Sequence, residues 1–476
     1  MNITDPMRSR ARERPDAVAI VRPRGASVSW RDFDRIIDGV AGRCLDGGIR
    51  PGDLVLLAIQ RPFRLLVLEL ALARLGAAAV SSALPGGLAS ACLVEVAGDA
   101  SMHPNTHEVK ADWFEPPSAA PAPVPSHRDG DAIAIVCPSS GTTGIPKAIP
   151  ITHAHLAARV AAADAGVPLP ATPRQVCLPG ASSGYGFVSI LRVLWAGGTH
   201  VIATTAEEIV AMIPRHGVQR LVMMPFWVER IVEALPPQGR LAPLEQVEVG
   251  GAILPGPLLR IARERLCAHV VSVYGATEAG CIAMGAFDDL DFQNGEVGRA
   301  LPGVEIAAFD EQGHPLPAGA DGVLRVRGRM CSGHYLGNAE ASAGAFADGW
   351  LVTPDLGRVA DDGTVTLAGR LGDLISIGGY RIRPSVVEEA LLSLDAVEDA
   401  AAFGASGASG AMQLCAAIVT RAPIEQSTLH AALQARIPGI VPSFVMRVDE
   451  VPRNAGGKIL RNELVSLALA SGLRER

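Results

Sequence analysis

The sequence contains no Cys-x-x-Cys pair, although eight cysteines are scattered along its 476 residues. Zinc sites and disulfide frameworks both depend on characteristic cysteine spacing, so this absence argues against either one. The stretch from Met1 to Ile20 also lacks the apolar centre of an export signal. We therefore expect a cytoplasmic protein whose cysteines are free.

A long uncharged hydrophobic run is missing as well. The most apolar stretch, Leu65 to Leu84, contains Glu69 and Arg74, which favours a buried helix followed by a strand over a membrane span. The formal net charge of -7 argues against a general binder of nucleic acid or anionic membranes. With 49% hydrophobic and 19% charged residues, the composition is typical of a globular protein, and the length predicts more than one domain.

Helical and strand patterns alternate over the first hundred residues. The hydrophobic spacing predicts helices over Trp30 to Asp46 and Arg64 to Gly76, and strands over Asp53 to Ile59 and Ala77 to Ser82. Such alternation indicates an α/β fold with a largely parallel sheet. The proline-rich stretch Pro116 to Pro125 is expected to be a surface connection inside a domain.

The remainder of the chain changes character twice. Further short buried strands are predicted at 131–138, 175–178, 200–203, 220–224 and 270–274. Between Gly295 and Asp361, short strands separated by glycine turns predict a β-rich subdomain. After Gly369, short strands and two amphipathic helices, at 385–393 and 426–436, predict a small separate α+β domain.

The segment from Ser139 to Lys147 (SSGTTGIPK) is typical of a phosphate-binding loop. Its glycines allow the backbone to approach an anion, and its hydroxyls and lysine supply hydrogen-bond donors. It follows a buried strand, where phosphate loops occur. The Walker pattern does not fit, because Pro146 shifts Lys147 by one position. An ordinary polar turn is the alternative for this segment alone.

Four further motifs follow this loop in order: 274–278 (YGATE), 350–355 (WLVTPD), 369–382 (GRLGDLISIGGYRI) and 452–461 (PRNAGGKILR). Together, the five resemble the signatures of the adenylate-forming superfamily, which includes acyl-CoA synthetases, peptide-synthetase adenylation domains and luciferases. The resemblance spans nearly the whole chain. It implies a large N-terminal domain of stacked α/β subdomains, residues 1–371, and a small mobile α+β lid, residues 372–476.

The resemblance implies that the chain binds ATP and Mg²⁺. Thr277 would donate a hydrogen bond to phosphate, and Glu278 would hold Mg²⁺, which prefers oxygen ligands. The phosphate loop would be formed by Ser140, Gly141, Thr142, Thr143, Gly144 and Lys147. These cations and donors would offset the negative charge that develops on phosphate oxygens.

The same resemblance implies a site for the adenosine moiety. Asp355 would accept both ribose hydroxyls, with Arg370 as its cationic neighbour. The segment Gly250, Gly251 and Ala252 would pass under the adenine, and Tyr274 would stack on it.

Lys458 resembles the mobile catalytic lysine of the superfamily. The lid would rotate between adenylate formation and thioester formation, exchanging the Lys458 loop for the loop at Gly378 and Gly379. The implied reaction converts a small carboxylic acid to acyl-AMP and then transfers the acyl group to a thiol. Coenzyme A is the expected thiol because no carrier domain is fused to the chain; the phosphopantetheine of a carrier protein and an amine acceptor stay open, as does a homodimer.

Several positions depart from the superfamily pattern. Gly372 occupies the hinge position usually held by Asp or Lys, Ser376 replaces a lysine, and Pro354 replaces a glycine. Glycine still permits a rotation, whereas proline stiffens the turn before Asp355. Ser182 or Ser183 stands where relatives carry an aromatic residue or histidine beside the acyl pocket.

Two other functions compete with this interpretation. The segment from Gly180 to Gly184 formally matches the G-x-S-x-G elbow of serine hydrolases, with Asp288 and His314 available downstream. Complete loss of an ester-cleaving activity in Ser182→Ala would favour that function. An inactive ATP-binding module is the second alternative. His153 and His155 are expected to pack or cap a helix, because their spacing does not place them on one helical face.

Overall fold

The computed structural model is described for residues 1–81, 84, 86–95, 105–139, 146–371, 375–377, 380–406, 412–436, 442–453 and 459–471. Within these residues there are twelve α-helices. They are α1 (Asp5–Glu13), α2 (Trp30–Asp46), α3 (Pro62–Leu75), α4 (His153–Gly166), α5 (Gly184–Trp195), α6 (Ala206–His216), α7 (Trp227–Ala234), α8 (Gly256–Ile261), α9 (Ala339–Ala345), α10 (Pro384–Leu392), α11 (Gln426–Arg436) and α12 (Arg461–Ala470).

The strands of the N-terminal half alternate with helices. They are β1 (Val18–Val21), β2 (Ser27–Ser29), β3 (Leu54–Ala58), β4 (Ala78–Ser81), β5 (Ala91–Val94), β6 (Thr106–Glu108), β7 (Ile133–Pro138), β8 (Ala148–Thr152), β9 (Arg174–Cys177), β10 (Thr199–Val201), β11 (Arg220–Met223), β12 (Gln246–Gly250) and β13 (Val270–Ala276).

The later strands follow one another with few helices between them. They are β14 (Gly280–Ala286), β15 (Glu296–Ala300), β16 (Glu305–Phe309), β17 (Gly322–Arg327), β18 (Phe346–Ala347), β19 (Trp350–Val359), β20 (Thr364–Arg370), β21 (Ile375–Ile377), β22 (Tyr380–Ile382), β23 (Val397–Ser406), β24 (Met412–Thr420) and β25 (Phe444–Arg447).

Local chemistry explains where the first elements begin and end. The helix predicted over Trp30–Asp46 is confirmed, and the Ser29 side chain caps it by accepting a hydrogen bond from the Asp32 backbone N–H. The next helix, α3, begins at Pro62, where a missing backbone N–H is tolerated. It ends before Gly76, whose φ of 82° is left-handed and suits glycine.

Two large sheets form the N-terminal part of the described chain. Six strands have the order β6-β5-β3-β4-β7-β8 and are parallel except at β7–β8. A second sheet of fourteen strands has the order β16-β17-β19-β20-β15-β14-β13-β12-β11-β9-β10-β1-β2, with β18 beside β19. Its segment β13-β12-β11-β9-β10-β1 is parallel, and its segment from β14 to β16 is antiparallel. The predicted α/β fold with a β-rich region is therefore confirmed.

Helices cover both faces of the parallel segment and create separate hydrophobic cores. One core joins α2, α3 and α5 to the six-stranded sheet, and another lies under α6, α7 and α8 on the opposite face of the larger sheet. The C-terminal α+β part has two cores of its own, built only from residues between Ile375 and Ala468. Among the described residues, no helix combines the length and apolar character that crossing a membrane requires.

Candidate active site

Four loops meet at one edge of the larger sheet. Parallel strands place their carboxyl ends together, so the residues following β9, β11, β12 and β13 all lie at this edge. Contact across it is direct: a Cβ placed on Gly184, at the start of α5, would lie 3.7 Å from the methyl carbon of Thr277. The tertiary fold therefore brings the YGATE motif beside the segment that begins α5.

The Ser139–Lys147 loop connects two paired strands, β7 and β8. The Ser139 N–H donates to the Lys147 carbonyl (2.9 Å), and the Lys147 N–H donates to the Ser139 hydroxyl (3.3 Å). These bonds close the base of the loop and fix the point where Lys147 leaves the sheet. The predicted phosphate-binding residues of the loop tip, which are Ser140, Gly141, Thr142, Thr143 and Gly144, lie outside the described residues.

Lys147 and Glu278 both contact the side chain of Tyr335. The Lys147 Nζ lies 4.9 Å from the centre of the Tyr335 ring, and the Tyr335 hydroxyl donates to Glu278 Oε1 at 2.8 Å. Burial and the Glu278 charge raise the pKa of Tyr335, which therefore remains a neutral donor. An ammonium group and a hard oxygen ligand near each other fit a Mg²⁺–polyphosphate group. Tyr335 lies 57 residues from Glu278 along the chain, so no motif or spacing in the sequence indicates it.

Two hydrogen bonds to its backbone fix the YGATE motif in place. The Glu278 carbonyl accepts one hydrogen bond from the Ser332 N–H (2.8 Å) and one from Arg159 Nη2 (3.0 Å). The side chains of Thr277 and Glu278 are half-buried, so they remain accessible from the edge. This arrangement orients a hydroxyl and a carboxylate toward the same space.

Asp355 lies at the end of a network with two of the predicted site residues. Its carboxylate is only 5% exposed; Oδ2 accepts from the Tyr274 hydroxyl (2.8 Å) and Oδ1 from Arg370 Nε (2.9 Å). Strand pairing places Asp355 opposite Arg370. A carboxylate offers about four lone-pair positions, so two remain for a diol such as that of a ribose. Arg370 is thus a neighbour of Asp355, and the Tyr274 hydroxyl also bonds to Asp355, while the roles of all three toward a nucleotide, including stacking of Tyr274 on adenine, stay predictions.

Pro354 is accommodated on the exposed side of β19. Its carbonyl accepts from the Leu371 N–H (2.8 Å), and the Asp355 N–H donates to the Thr353 hydroxyl (3.2 Å). The strand is therefore preserved at this departure from the superfamily pattern.

The predicted adenine loop begins where β12 ends. Gly251 has φ of 86°, a left-handed conformation that favours glycine. A Cβ on Gly250 would lie 3.3 Å from the Tyr185 ring, so this strand end and α5 are in close contact. Ala252 follows and is exposed, which leaves the loop surface open to a flat ring.

A buried network of hydrogen bonds and ion pairs, with no net charge, connects α5 to the strands beneath it. The Tyr185 hydroxyl donates to Glu248 Oε1 (2.8 Å), and Arg220 pairs with the other oxygen. Burial alone would raise the pKa of Glu248, but the charges of Arg220 and Arg192 outweigh it and lower that pKa. Arg192 is in turn paired with Asp164 at 2.8 Å. Because each charge is compensated, the network presents no net charge to a substrate.

The residues offered for a hydrolase are not assembled. The Ser183 hydroxyl caps α5 by accepting from the Gly186 N–H (2.9 Å), and Ser182 is exposed. Asp288 pairs with Arg263 at 2.5 Å, and His314 lies 3.3 Å from Asp310, each on another part of the surface. No catalytic base is therefore held against either serine within the described part of the chain.

The two histidines of the α4 start have structural roles. His155 completes a capping box with Thr152, and His153 is fully buried, where it accepts from the Ile3 N–H (3.3 Å). Burial lowers the pKa of each histidine to about 4, so both are neutral at pH 7. The predicted packing or capping role agrees with these contacts.

The segment that carries Lys458 is anchored on both sides. A bridge joins Arg453 to Ile459, and the Leu460 N–H donates to the Pro452 carbonyl (2.8 Å). Arg453 also pairs with Asp399 at 2.8 Å. Lys458 itself, the hinge residue Gly372 and the glycines 378 and 379 lie outside the described residues.

Comparison with known families gives two matches along the chain. Residues 7–84 and 87–336 match the family described as AMP-binding enzyme. Residues 386–458 match the family described as AMP-binding enzyme C-terminal domain.

Individual relatives cover the chain to different extents. A salicylyl-CoA synthase / salicylate adenylyltransferase from Streptomyces sp is 30% identical over 507 residues, covering 94% of this chain and 90% of that protein. Surfactin synthase subunit 2 of Bacillus subtilis (strain 168) is 29% identical over 374 residues, covering 74% of this chain; the match spans 10% of that protein's length. The solved structure of the amide bond synthetase McbA from Marinactinospora thermotolerans has a TM-score of 0.86 at 25% identity, covering 98% of this chain and 99% of that one.

Proposed function

The chain belongs to the AMP-binding enzyme family, and from this premise we propose that it activates a carboxylic acid as acyl-AMP and transfers the acyl group to a thiol. The observation that carries the proposal is that the β13–β14 hairpin links a ribose-type acceptor, through Tyr274, to a cation–carboxylate pair that includes Glu278. Asp355 with Arg370 and Tyr274 forms the first. Lys147 and Glu278, joined through Tyr335, form the second.

The first half-reaction is the attack of the substrate carboxylate on the α-phosphorus of ATP. A phosphorus–oxygen bond to the acid forms, the bond to the bridging oxygen of pyrophosphate breaks, and acyl-AMP and pyrophosphate result. Lys147 holds the outer phosphates, Thr277 donates to phosphate oxygen, and Asp355 fixes the ribose. Glu278 would hold Mg²⁺, which would supply positive charge to offset part of the phosphate charge.

The second half-reaction requires a different arrangement of the C-terminal part. We propose that residues 372–476 form a lid that turns about Gly372 and removes Lys458 before the thiol enters. Partial burial raises the pKa of Glu229 on α7, the charge of Asp399 raises it further, and Arg453 opposes this, so Glu229 interacts electrostatically with two residues of the C-terminal part.

The acid is proposed to be an uncharged acyl or aryl acid. The ranges 178–187, 224–230, 249–254 and 274–282 line the expected pocket, and Glu229, Arg230 and Glu278 are their charged side chains. Glu229 and Arg230 are exposed, and Arg230 lies over the Phe226 ring at 5.2 Å. Glu278 is assigned to Mg²⁺ and Glu248 is compensated by Arg220, so among the described residues of these ranges no buried charge is left to pair with a second carboxylate or an ammonium.

Coenzyme A is the proposed thiol. A relative whose name includes a CoA synthase supports this choice, whereas the peptide-synthetase and amide-synthetase relatives keep a carrier protein and an amine as competing acceptors. A cytoplasmic location stays a prediction.

The deciding experiment measures AMP and pyrophosphate release with Mg·ATP across uncharged aliphatic, aromatic, dicarboxylic and amino acids, with and without coenzyme A. We expect pyrophosphate release to require an uncharged acid. We expect AMP release only when coenzyme A is also added. Pyrophosphate without thioester would move the proposal to a carrier protein or an amine. No nucleotide turnover with any acid, in folded protein, would contradict it.

Replacing Glu278 with glutamine should raise the Mg²⁺ concentration needed for half-maximal pyrophosphate release by about 100-fold, because an amide lacks the charge of the carboxylate. The matched variant Tyr335→Phe removes only the hydrogen bond that orients Glu278 and should raise it by about 10-fold. A Mg²⁺ titration of the initial rate measures both. An unchanged Mg²⁺ requirement in Glu278→Gln would exclude Glu278 as the ligand.

A further inference from the structure

Arg159 on α4 differs from the other buried arginines of the described residues. Arg74, Arg192 and Arg220 are each paired with a carboxylate. Arg159 is equally buried, at 2% exposure, yet no salt bridge joins it to a carboxylate anywhere in the described ranges. Its Nη1 atom has no hydrogen-bond partner there.

The guanidinium of Arg159 lies directly beneath the YGATE motif. Its Nη2 donates to the Glu278 carbonyl and its Nε to the Met330 carbonyl, both at 3.0 Å. A Cβ placed on Gly280 would lie 2.8 Å from Arg159 Cδ, and Gly280 has φ of 74°. The side chain therefore fills the underside of the turn that presents Thr277 and Glu278, and glycine at 280 makes room for it.

A buried guanidinium without a carboxylate is costly to the folded protein. Burial lowers the pKa of Arg159, and the nearby Glu278 charge opposes this only in part; an arginine nevertheless remains charged at neutral pH. Carbonyl dipoles compensate only part of the lost hydration of such a charge. The charge of Arg159 lies beneath the turn whose Thr277 and Glu278 side chains are half-exposed, and the proposed reaction gathers its phosphates at this turn.

We propose that Arg159 is a positioning residue that holds the Thr277–Glu278 turn and supplies a buried positive charge for the polyphosphate of ATP. The inference rests on the proposed function but concerns only this residue. The proposal assigns Arg159 two roles that experiment can separate. The positive charge favours binding of the triphosphate. The two guanidinium donors, Nε and Nη2, which form the fork of the side chain, fix the geometry of the turn.

The test is a calorimetric titration of Mg·ATP, and separately of AMP, into the full-length protein without acid. Arg159→Met, which removes the charge, should weaken Mg·ATP binding by about 10-fold or more and AMP binding by less than about 2-fold. Arg159→Lys, which keeps the charge but not the fork, should bind Mg·ATP within about 3-fold of wild type and form acyl-AMP about 10-fold more slowly.

Arg74→Met is the matched control, because Arg74 is buried but paired with Asp34 and Asp38. It should lower the melting temperature more than Arg159→Met does, while its folded fraction binds Mg·ATP with wild-type affinity. Wild-type affinity for Mg·ATP in Arg159→Met would overturn the inference, as would equal weakening of ATP and AMP binding. If Arg159→Met does not fold, Arg159→Lys is the deciding variant. If its affinity for Mg·ATP falls by as much as its rate of acyl-AMP formation, the proposed role of the charge is overturned. A wild-type protein that binds no Mg·ATP would instead contradict the proposed function.

Discussion

Replacing Lys458 with alanine is expected to slow acyl-AMP formation by at least about 100-fold while leaving thiolysis of supplied acyl-AMP within about 3-fold of wild type. Removing one preorganised donor from a developing anion has a cost of this order. The second half-reaction would be spared because the proposed turn of the lid would carry the lysine away from the site. Acid-dependent pyrophosphate release and thioester formation from synthetic acyl-AMP measure the two steps separately.

The surroundings of Lys458 make this prediction specific. Arg453 pairs with Asp399, and Arg461 pairs with Glu388 at 2.6 Å, so both ends of the segment are tied to the C-terminal part. On the proposed lid, both ends of this segment would therefore move together with the C-terminal part. The chain has just three lysines, and the exposed Lys110 provides the control: Lys110→Ala should leave both rates unchanged. Equal loss of both half-reactions in Lys458→Ala would exclude the swinging-lysine role.

Replacing Asp355 with alanine should raise the KM for ATP by about 100-fold or more, because two hydrogen bonds from ribose hydroxyls to a carboxylate are lost, each contributing about 1.5–3 kcal/mol. Asp355→Asn keeps an acceptor for the Tyr274 hydroxyl and should raise KM by about 10-fold. Initial rates of pyrophosphate release over an ATP series measure both variants.

The control for Asp355 lies on the same hairpin. Asp361 is exposed in the turn between β19 and β20, so Asp361→Asn should leave the KM unchanged. A melting curve separates binding from stability, since Asp355→Ala also leaves the buried Tyr274 hydroxyl without its acceptor. An unchanged KM for ATP in well-folded Asp355→Ala would contradict the ribose assignment.

Local signals were sufficient for the elements and for part of the site. The apolar periodicity of Trp30–Asp46 matches α2 at both ends, since its cap and its buried face are encoded by neighbouring residues. The match of Asp355 with Arg370 follows from two motifs that pair across a hairpin. The partners of Glu278 could not be found in this way: Tyr335 and Arg159 lie 57 and 119 residues away, and no spacing rule connects them.

The sequence by itself determined the alternation of helices and strands, the loops of glycine and hydroxyl residues, and the order of the motifs, because these depend on side chains near one another along the chain. The tertiary structure alone decided which charges are compensated. Glu248 is neutralised by Arg220, whereas the hydrogen bonds of Arg159 within the described residues go to two backbone carbonyls. Whether a buried charge is paired depends on distances across the sheet, which hydrophobic periodicity does not contain. That difference separates a buried network without net charge from a turn that rests on a guanidinium with no salt bridge in the described residues.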